Sequence, residues 1–149
     1  MKISEYGLNI IKKYEGFSTI PYFCPARKLT IGYGHVIVSR ETFPLSGIST
    51  EIAENLLKQD VSIAEMAINH LVAIKLLQNQ FDALVSFVYN VGGKAFEKST
   101  LLRLLNENKQ ELAAAELSKW IFAGGAVQNG LISRRAEEKQ LFVKFLQEL

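Results

Sequence analysis

Glu15 stands in the run KYEGF, where an amphipathic segment gives way to a different pattern, with Tyr14 and Phe17 close by and Gly16 next in the chain. A carboxyl at such a junction can face a cleft partly walled by aromatics, the setting in which a carboxylic acid keeps its proton and donates it. The competing reading is an ordinary solvated acid at a helix end, because acidic side chains are mostly exposed. Cys24 follows nine positions later and Thr30 six beyond that, and Thr30 opens TIGYGH, whose glycines suit tight β turns. His35 and His70 are the two histidines and lie far apart in sequence, so His35 reads as a structural residue in preference to a metal ligand or base. Phosphate loops, dinucleotide fingerprints, HExxH and paired Cys-x-x-Cys runs do not occur. No metal and no cofactor are expected.

The elements that must hold these residues follow from periodicity. From Ser4 to Tyr14 the residues Gly7, Leu8, Ile10, Ile11 and Tyr14 recur at helical spacing, with Ser4 as cap and the end at Glu15-Gly16. Between Phe17 and Val38, β-branched and aromatic residues punctuated by Pro21, Pro25, Gly32 and Gly34 predict two or three short strands, the only β region expected. After Pro44 and Gly47, Ser49 or Thr50 caps a long helix whose stripe runs Ile52, Leu56, Leu57, Val61, Ala64, Ala67, Ile68, Leu71. Further helices are expected over 78–91, stopped by Gly92-Gly93, then over 100–106 behind Ser99, over 110–121 and over 133–146. The sum is an α+β chain, predominantly helical, with a small β-containing front lobe and a larger helical lobe; two lobes offer a cleft.

Composition narrows the class. With 149 residues, 48% apolar, 21% charged, 3 Pro and 10 Gly, the chain is of single-domain size and excludes disorder and collagen-like repeats. The longest apolar stretches, such as that over 83–91 with Ser86 and Asn90 inside it, fall short of a membrane span, and the first residues lack the apolar core of an export signal. A lone Cys24 makes no internal disulfide and suits a reducing compartment. A net charge of +2 is too small to mark a nucleic-acid binder, but residues 1–40 carry Lys2, Lys12, Lys13, Arg27, Lys28 and Arg40 against only Glu5 and Glu15. That basic front is either a solvated surface or an attraction for an acidic polymer.

Taken together, Glu15-Gly16-Phe17, Tyr22, Cys24 and Thr30-Ile31-Gly32-Tyr33-Gly34-His35 resemble the phage-type lysozymes, the endolysins of glycoside hydrolase family 24. In that family Glu, eight residues, Asp or Cys, five residues and Thr form the catalytic triad, and this spacing matches without a gap. The resemblance continues through FVYNVGG at 87–93, STLLRLLN at 99–106, the Trp120 region and GLISRR at 130–135, covering nearly the whole chain in order.

The resemblance implies one lysozyme-like domain over 1–149, with the front lobe at about 14–60 and the helical lobe at about 61–149 plus the first helix. It implies a monomer that hydrolyses the β-1,4 bond between N-acetylmuramic acid and N-acetylglucosamine in peptidoglycan, with Glu15 as general acid and inversion at the anomeric carbon. Cys24, where the commoner residue is Asp, is a water-positioning group or weak base, an inert buried thiol, or a nucleophile. Thr30 holds water or is a plain strand residue. Val36, Tyr89, Asn90, Ser99 and Thr100 fall where the family contacts sugar, and either Arg134 or Arg135 approaches Glu15. Trp120 is a core or hinge aromatic. The implied setting is the host cytoplasm, with access to the periplasmic wall after a holin opens the inner membrane, and no membrane insertion or nucleic acid. The alternative from another class is a non-catalytic peptidoglycan-binding or scaffolding domain of the same fold.

Overall fold

The structure, a computed structural model, describes residues 1–145. Helix α1 (Glu5–Glu15) begins at Ser4, whose hydroxyl accepts from Gly7 N, and ends where Gly16 N donates to Lys12 O at 3.1 Å. Its apolar face, Leu8, Ile10 and Ile11, is buried. The Ser4 backbone N–H and hydroxyl both donate to Asp82, so the start of α1 is tied to a helix far along the chain.

The front lobe is an antiparallel sheet in the order β1 (Ser18–Phe23), β2 (Leu29–Gly32), β3 (His35–Val36). Tyr22 pairs with Thr30 and Thr30 with Val36, while the register between β1 and β2 slips between Ser18 and Tyr22, around Pro21. Pro21 has no N–H to give, which an edge strand tolerates. One face of the sheet buries Ile31 against Ile48 and Ala53 in a small apolar cluster.

Helix α2 (Thr50–Leu71), capped by the Ser49 hydroxyl accepting from Ile52 N, crosses the boundary expected near residue 60. Its first turns place Ala53 on the small front cluster and the rest place Leu57, Val61, Ala64 and Ile68 in the main core, so one rigid helix belongs to both lobes. The main core is completed by α3 (Gln78–Val91), α4 (Gly93–Glu97), α5 (Thr100–Asn106), α6 (Gln110–Leu117) and α7 (Asn129–Val143). Phe81, Phe87, Phe96, Leu105 and Leu117 are fully buried there, each worth about 1.5–3 kcal/mol of transfer free energy.

Four details differ from the periodicity reading. Helix α4 stands where only a stop was expected, and Phe96 in it is fully buried. Helix α6 ends at Leu117 and not at Ile121, because Trp120 N turns back to Leu117 O at 3.1 Å and Ile121 O accepts from Gln128 N at 2.9 Å. That last bond closes a second hairpin, β4 (Phe122–Ala123) with β5 (Ala126–Val127), absent from the expectations. Its two-residue turn, Gly124-Gly125, has φ of 60° and 79°, the conformation primed hairpin turns demand. Helix α7 therefore starts at Asn129, four residues before the expected Ser133, and the expected end at Leu146 lies outside the described residues.

Candidate active site

Because α1 stops at Gly16, Glu15 occupies its last turn and its side chain, about one-fifth exposed, borders the space between the lobes. The cleft there has a volume of about 390 Å³. Glu15, Gly34 and Val36 line it from the front lobe, Asp60, Ile63 and Ala64 from α2, and Val88, Tyr89 and Asn90 from α3, with Gly92 and Gly93 at its end. A Cβ added at Gly34 would lie 2.7 Å from Glu15 Oε2, so the hairpin backbone abuts the carboxylate only because that residue has no side chain. Tyr14 and Phe17, expected as cleft walls, are not among the lining residues. Tyr14 turns its hydroxyl to Glu137 and Ser133 O, and Phe17 stacks on Tyr33 at 5.0 Å.

Arg134, not Arg135, meets the carboxyl: its Nη1 donates to Glu15 Oε1 at 2.8 Å. Arg134 is itself buried, with Nε on Glu138 Oε1 at 3.1 Å and Nη2 on Ser86 O at 3.0 Å. Arg135 donates instead to Trp120 O at 2.9 Å, to Glu138 Oε2 at 2.6 Å and to Asn90 Oδ1, and its guanidinium lies over the Phe87 ring. Trp120 packs edge-on against Phe87 at 5.3 Å, a core placement.

Cys24 is half-buried in a closed loop in which its N donates to Lys28 O at 3.0 Å and its carbonyl accepts from Arg27 N at 2.8 Å. The Lys28 backbone N–H holds the thiol below its ordinary pKa; partial burial opposes this, and the Thr30 hydroxyl, the Ala26 N–H and the Lys28 charge assist. Thr30 is buried, and its Oγ1 donates to Lys28 O at 2.9 Å, so its single proton serves either that carbonyl or a thiolate. Neither Cys24 nor Thr30 lines the 390 Å³ cleft. Tyr22, paired with Thr30 across the sheet, has its hydroxyl pKa pushed up by burial first and then by the charges of Glu15 and Cys24.

Among the expected sugar contacts, Val36, Tyr89 and Asn90 line the cleft, whereas Ser99 and Thr100 do not. Ser99 is buried, and its hydroxyl accepts from Leu102 N at 3.1 Å and donates to Phe96 O at 2.6 Å, which commits it to capping α5. The Tyr89 hydroxyl donates to Tyr33 O at 3.0 Å, so its proton is committed there while the residue lines the cleft. Burial first, then Glu15 and Asp60, raise its pKa. Because Asn90 Oδ1 takes the Arg135 proton, its NH₂ is left to donate.

His35 joins the lobes from behind. Its Nδ1 meets Asp60 Oδ2 at 2.7 Å and its Nε2 meets Glu41 Oε2 at 2.9 Å, an arrangement that both nitrogens satisfy as donors only in the imidazolium. Burial alone would lower its pKa, but Glu41 and Asp60 outweigh it and the net shift is upward. Among the described residues no cluster of His, Cys, Asp and Glu is arranged to hold a metal ion.

The match to the family described as phage lysozyme runs over residues 12–138, from inside α1 to Glu138 on α7. The chain belongs to the phage lysozyme family. It is 45% identical over 144 residues to the endolysin of Bacillus phage PZA, covering 95% of this chain and 55% of that protein. It is 40% identical over 147 residues to the endolysin of Acyrthosiphon pisum secondary endosymbiont phage 1, covering 95% and 98%. A solved structure, the muramidase domain of SpmX from Asticaccaulis excentricus, superposes with a TM-score of 0.85 at 40% identity over 95% of this chain and 97% of that one. The chain spans about half the length of the Bacillus phage relatives it matches, 55% and 54%. Within this phage lysozyme fold the sequence reading had the Gly34 turn but missed Asp60, Ser86 and Glu138 near Glu15. Of these three, Glu138 had a local signal, lying four residues after Arg134 and three after Arg135 on one helix face.

Proposed function

We propose that the chain is an endolysin muramidase that cleaves the β-1,4 bond between N-acetylmuramic acid and N-acetylglucosamine in bacterial peptidoglycan. The observation that carries this reading is the Glu15 carboxyl, held by Arg134 and bordering a cleft of about 390 Å³, in a chain of the phage lysozyme family. Relatives are named endolysins, and a neighbouring structure is named a muramidase domain.

Glu15 protonates the departing glycosidic oxygen, and Cys24 and Thr30 manage the water that attacks the opposite sugar face. Inverting enzymes hold the two groups roughly 6.5–9.5 Å apart to leave room for that water, and inversion is the outcome we assign. Glycan rings rest on Tyr89 and Val36, with the Asn90 amide donating to an acetamido carbonyl. The basic residues of positions 1–40, Lys12 and Lys28 among them, favour a polymer that carries peptide carboxylates. One domain over 1–149 acts as a monomer without a cofactor. The protein accumulates in the host cytoplasm and reaches the wall once a holin opens the inner membrane.

Release of reducing ends from purified peptidoglycan tests the reading, with Glu15→Gln as the decisive variant. Wild type is expected to be active and Glu15→Gln to lose at least about 100-fold, the usual contribution of a general acid. Equal inactivity of both, with sedimentation on peptidoglycan retained, would leave the binding or scaffolding reading in its place.

A further inference from the structure

Glu138 is the most deeply enclosed charge near the cleft, with no solvent exposure, and it touches no substrate space. A lone carboxylate in such a place is costly, so its partners say what it is for. Its Oε1 accepts from the Ser86 hydroxyl at 2.7 Å and from Arg134 Nε at 3.1 Å, and its Oε2 accepts from Arg135 Nη1 at 2.6 Å. Each arginine then spends its far end on a residue that lines the cleft. Arg134 Nη1 reaches Glu15 Oε1 at 2.8 Å, and Arg135 Nη2 reaches Asn90 Oδ1. The planar, five-donor guanidinium makes this possible, since one edge grips Glu138 while another points away from it in a fixed direction.

We infer that Glu138 is a positioning residue for the cleft: shared between Arg134 and Arg135, it sets the orientation of the Glu15 carboxyl and of the Asn90 amide together. The inference rests on the reading of Glu15 as the acid. It concerns α7 residues that do not line the cleft, and it explains why two adjacent arginines are buried on one helix. Removing Glu138 leaves both guanidinium groups without the carboxylate that fixes their near edges, so the ends that hold Glu15 and Asn90 lose their direction; removing Arg135 frees Asn90 alone.

The other groups that face this network are Tyr22 from β1, Tyr89 from α3 and Asp60 from α2, together with Tyr14 on α1, whose ring lies under the Arg134 guanidinium. All of them stay unchanged in the variants below.

The test is kcat and KM on soluble peptidoglycan fragments, read beside thermal unfolding, for wild type, Glu138→Gln, Glu138→Asp and Arg135→Gln. Glu138→Gln is expected to lower kcat at least about fivefold, because the Glu15 carboxyl loses its fixed direction, and to raise KM several-fold, because the Asn90 amide is released. Glu138→Asp restores part of both, while Arg135→Gln raises KM several-fold and changes kcat less. Kinetic constants of Glu138→Gln equal to those of wild type while only the melting temperature drops would overturn the positioning role. If Glu138→Gln does not fold, an Arg135→Gln enzyme with the wild-type KM overturns it. A Glu15→Gln variant that keeps wild-type activity sinks the reading of Glu15 instead, so the two failures are separable.

Discussion

Replacing Gly34 by alanine tests whether the cleft geometry of Glu15 matters beyond its being present. The added Cβ would stand 2.7 Å from Glu15 Oε2, 3.3 Å from its Cδ and 3.5 Å from its Cβ. Non-bonded carbon contacts settle near 3.5–4.0 Å, so the carboxylate must retreat by roughly 1 Å. It cannot retreat freely, because Oε1 is held by Arg134 Nη1 at 2.8 Å, and lengthening that contact by about 1 Å ends the hydrogen bond. A displacement of that size at a reacting group costs about 100-fold in rate. Separately, φ at Gly34 is +77°, and an alanine there pays about 1–2 kcal/mol of left-handed strain, roughly 3–8 °C of melting temperature for a chain of this length. Gly125 supplies the control: its φ is +79° and nothing lies within 4 Å of an added Cβ. Gly125→Ala should therefore show the left-handed strain alone and Gly34→Ala should melt at or below it, while only Gly34→Ala loses turnover of peptidoglycan. Equal activities for the two variants, or a Gly34→Ala enzyme as fast as wild type, would refute the reasoning.

The His35 ion pairs carry a pH signature. Its folded-state pKa is raised, so its contribution is fully present below the unfolded value, near 6.5, and is lost as pH rises through the folded value; melting temperature should fall over that window, and His35→Gln should flatten the fall. Cys24→Asp is expected to remain active and to gain activity at lower pH than wild type, because a carboxylate is deprotonated well below even an acidified thiol, whereas Cys24→Ser should lose at least about tenfold in kcat. A Cys24→Ser enzyme of undiminished kcat would show that the sulfur is neither base nor nucleophile. Phe87→Ala removes a fully buried ring that meets Trp120 at 5.3 Å and Phe96 at 6.5 Å, and should lower stability by about 3–5 kcal/mol in urea unfolding with the slope unchanged.

Local chemistry was legible wherever it was closed within a few residues. Ser4, Ser49 and Ser99 announce helix starts because each side chain bonds an N–H three positions on, and each does so in the structure. The strands of 18–36 follow from β-branched and aromatic residues between turn formers. The second hairpin was also written locally, in Gly124-Gly125, but the apolar periodicity of 110–121 masked it, and the helix reading ran past Leu117. Ser99 shows the reverse: a family position for sugar contact is occupied by a hydroxyl that the α5 cap has already claimed.

The sequence by itself determined which residue types stand in order, Glu15, Cys24, Thr30 and an arginine pair, and hence the family and the chemistry within reach. Which arginine meets Glu15 was decided only by the tertiary structure, since the partners lie 119 positions apart and depend on how α7 rolls against α1 and α3. Helical spacing places Arg134 and Arg135 about 100° apart, so packing can turn only one of them to Glu15 and sends the other to Trp120 and Asn90. The spacing of Glu138 from the two arginines is legible in the sequence, but its enclosure is not, because that spacing is the same for a buried carboxylate and a solvated one.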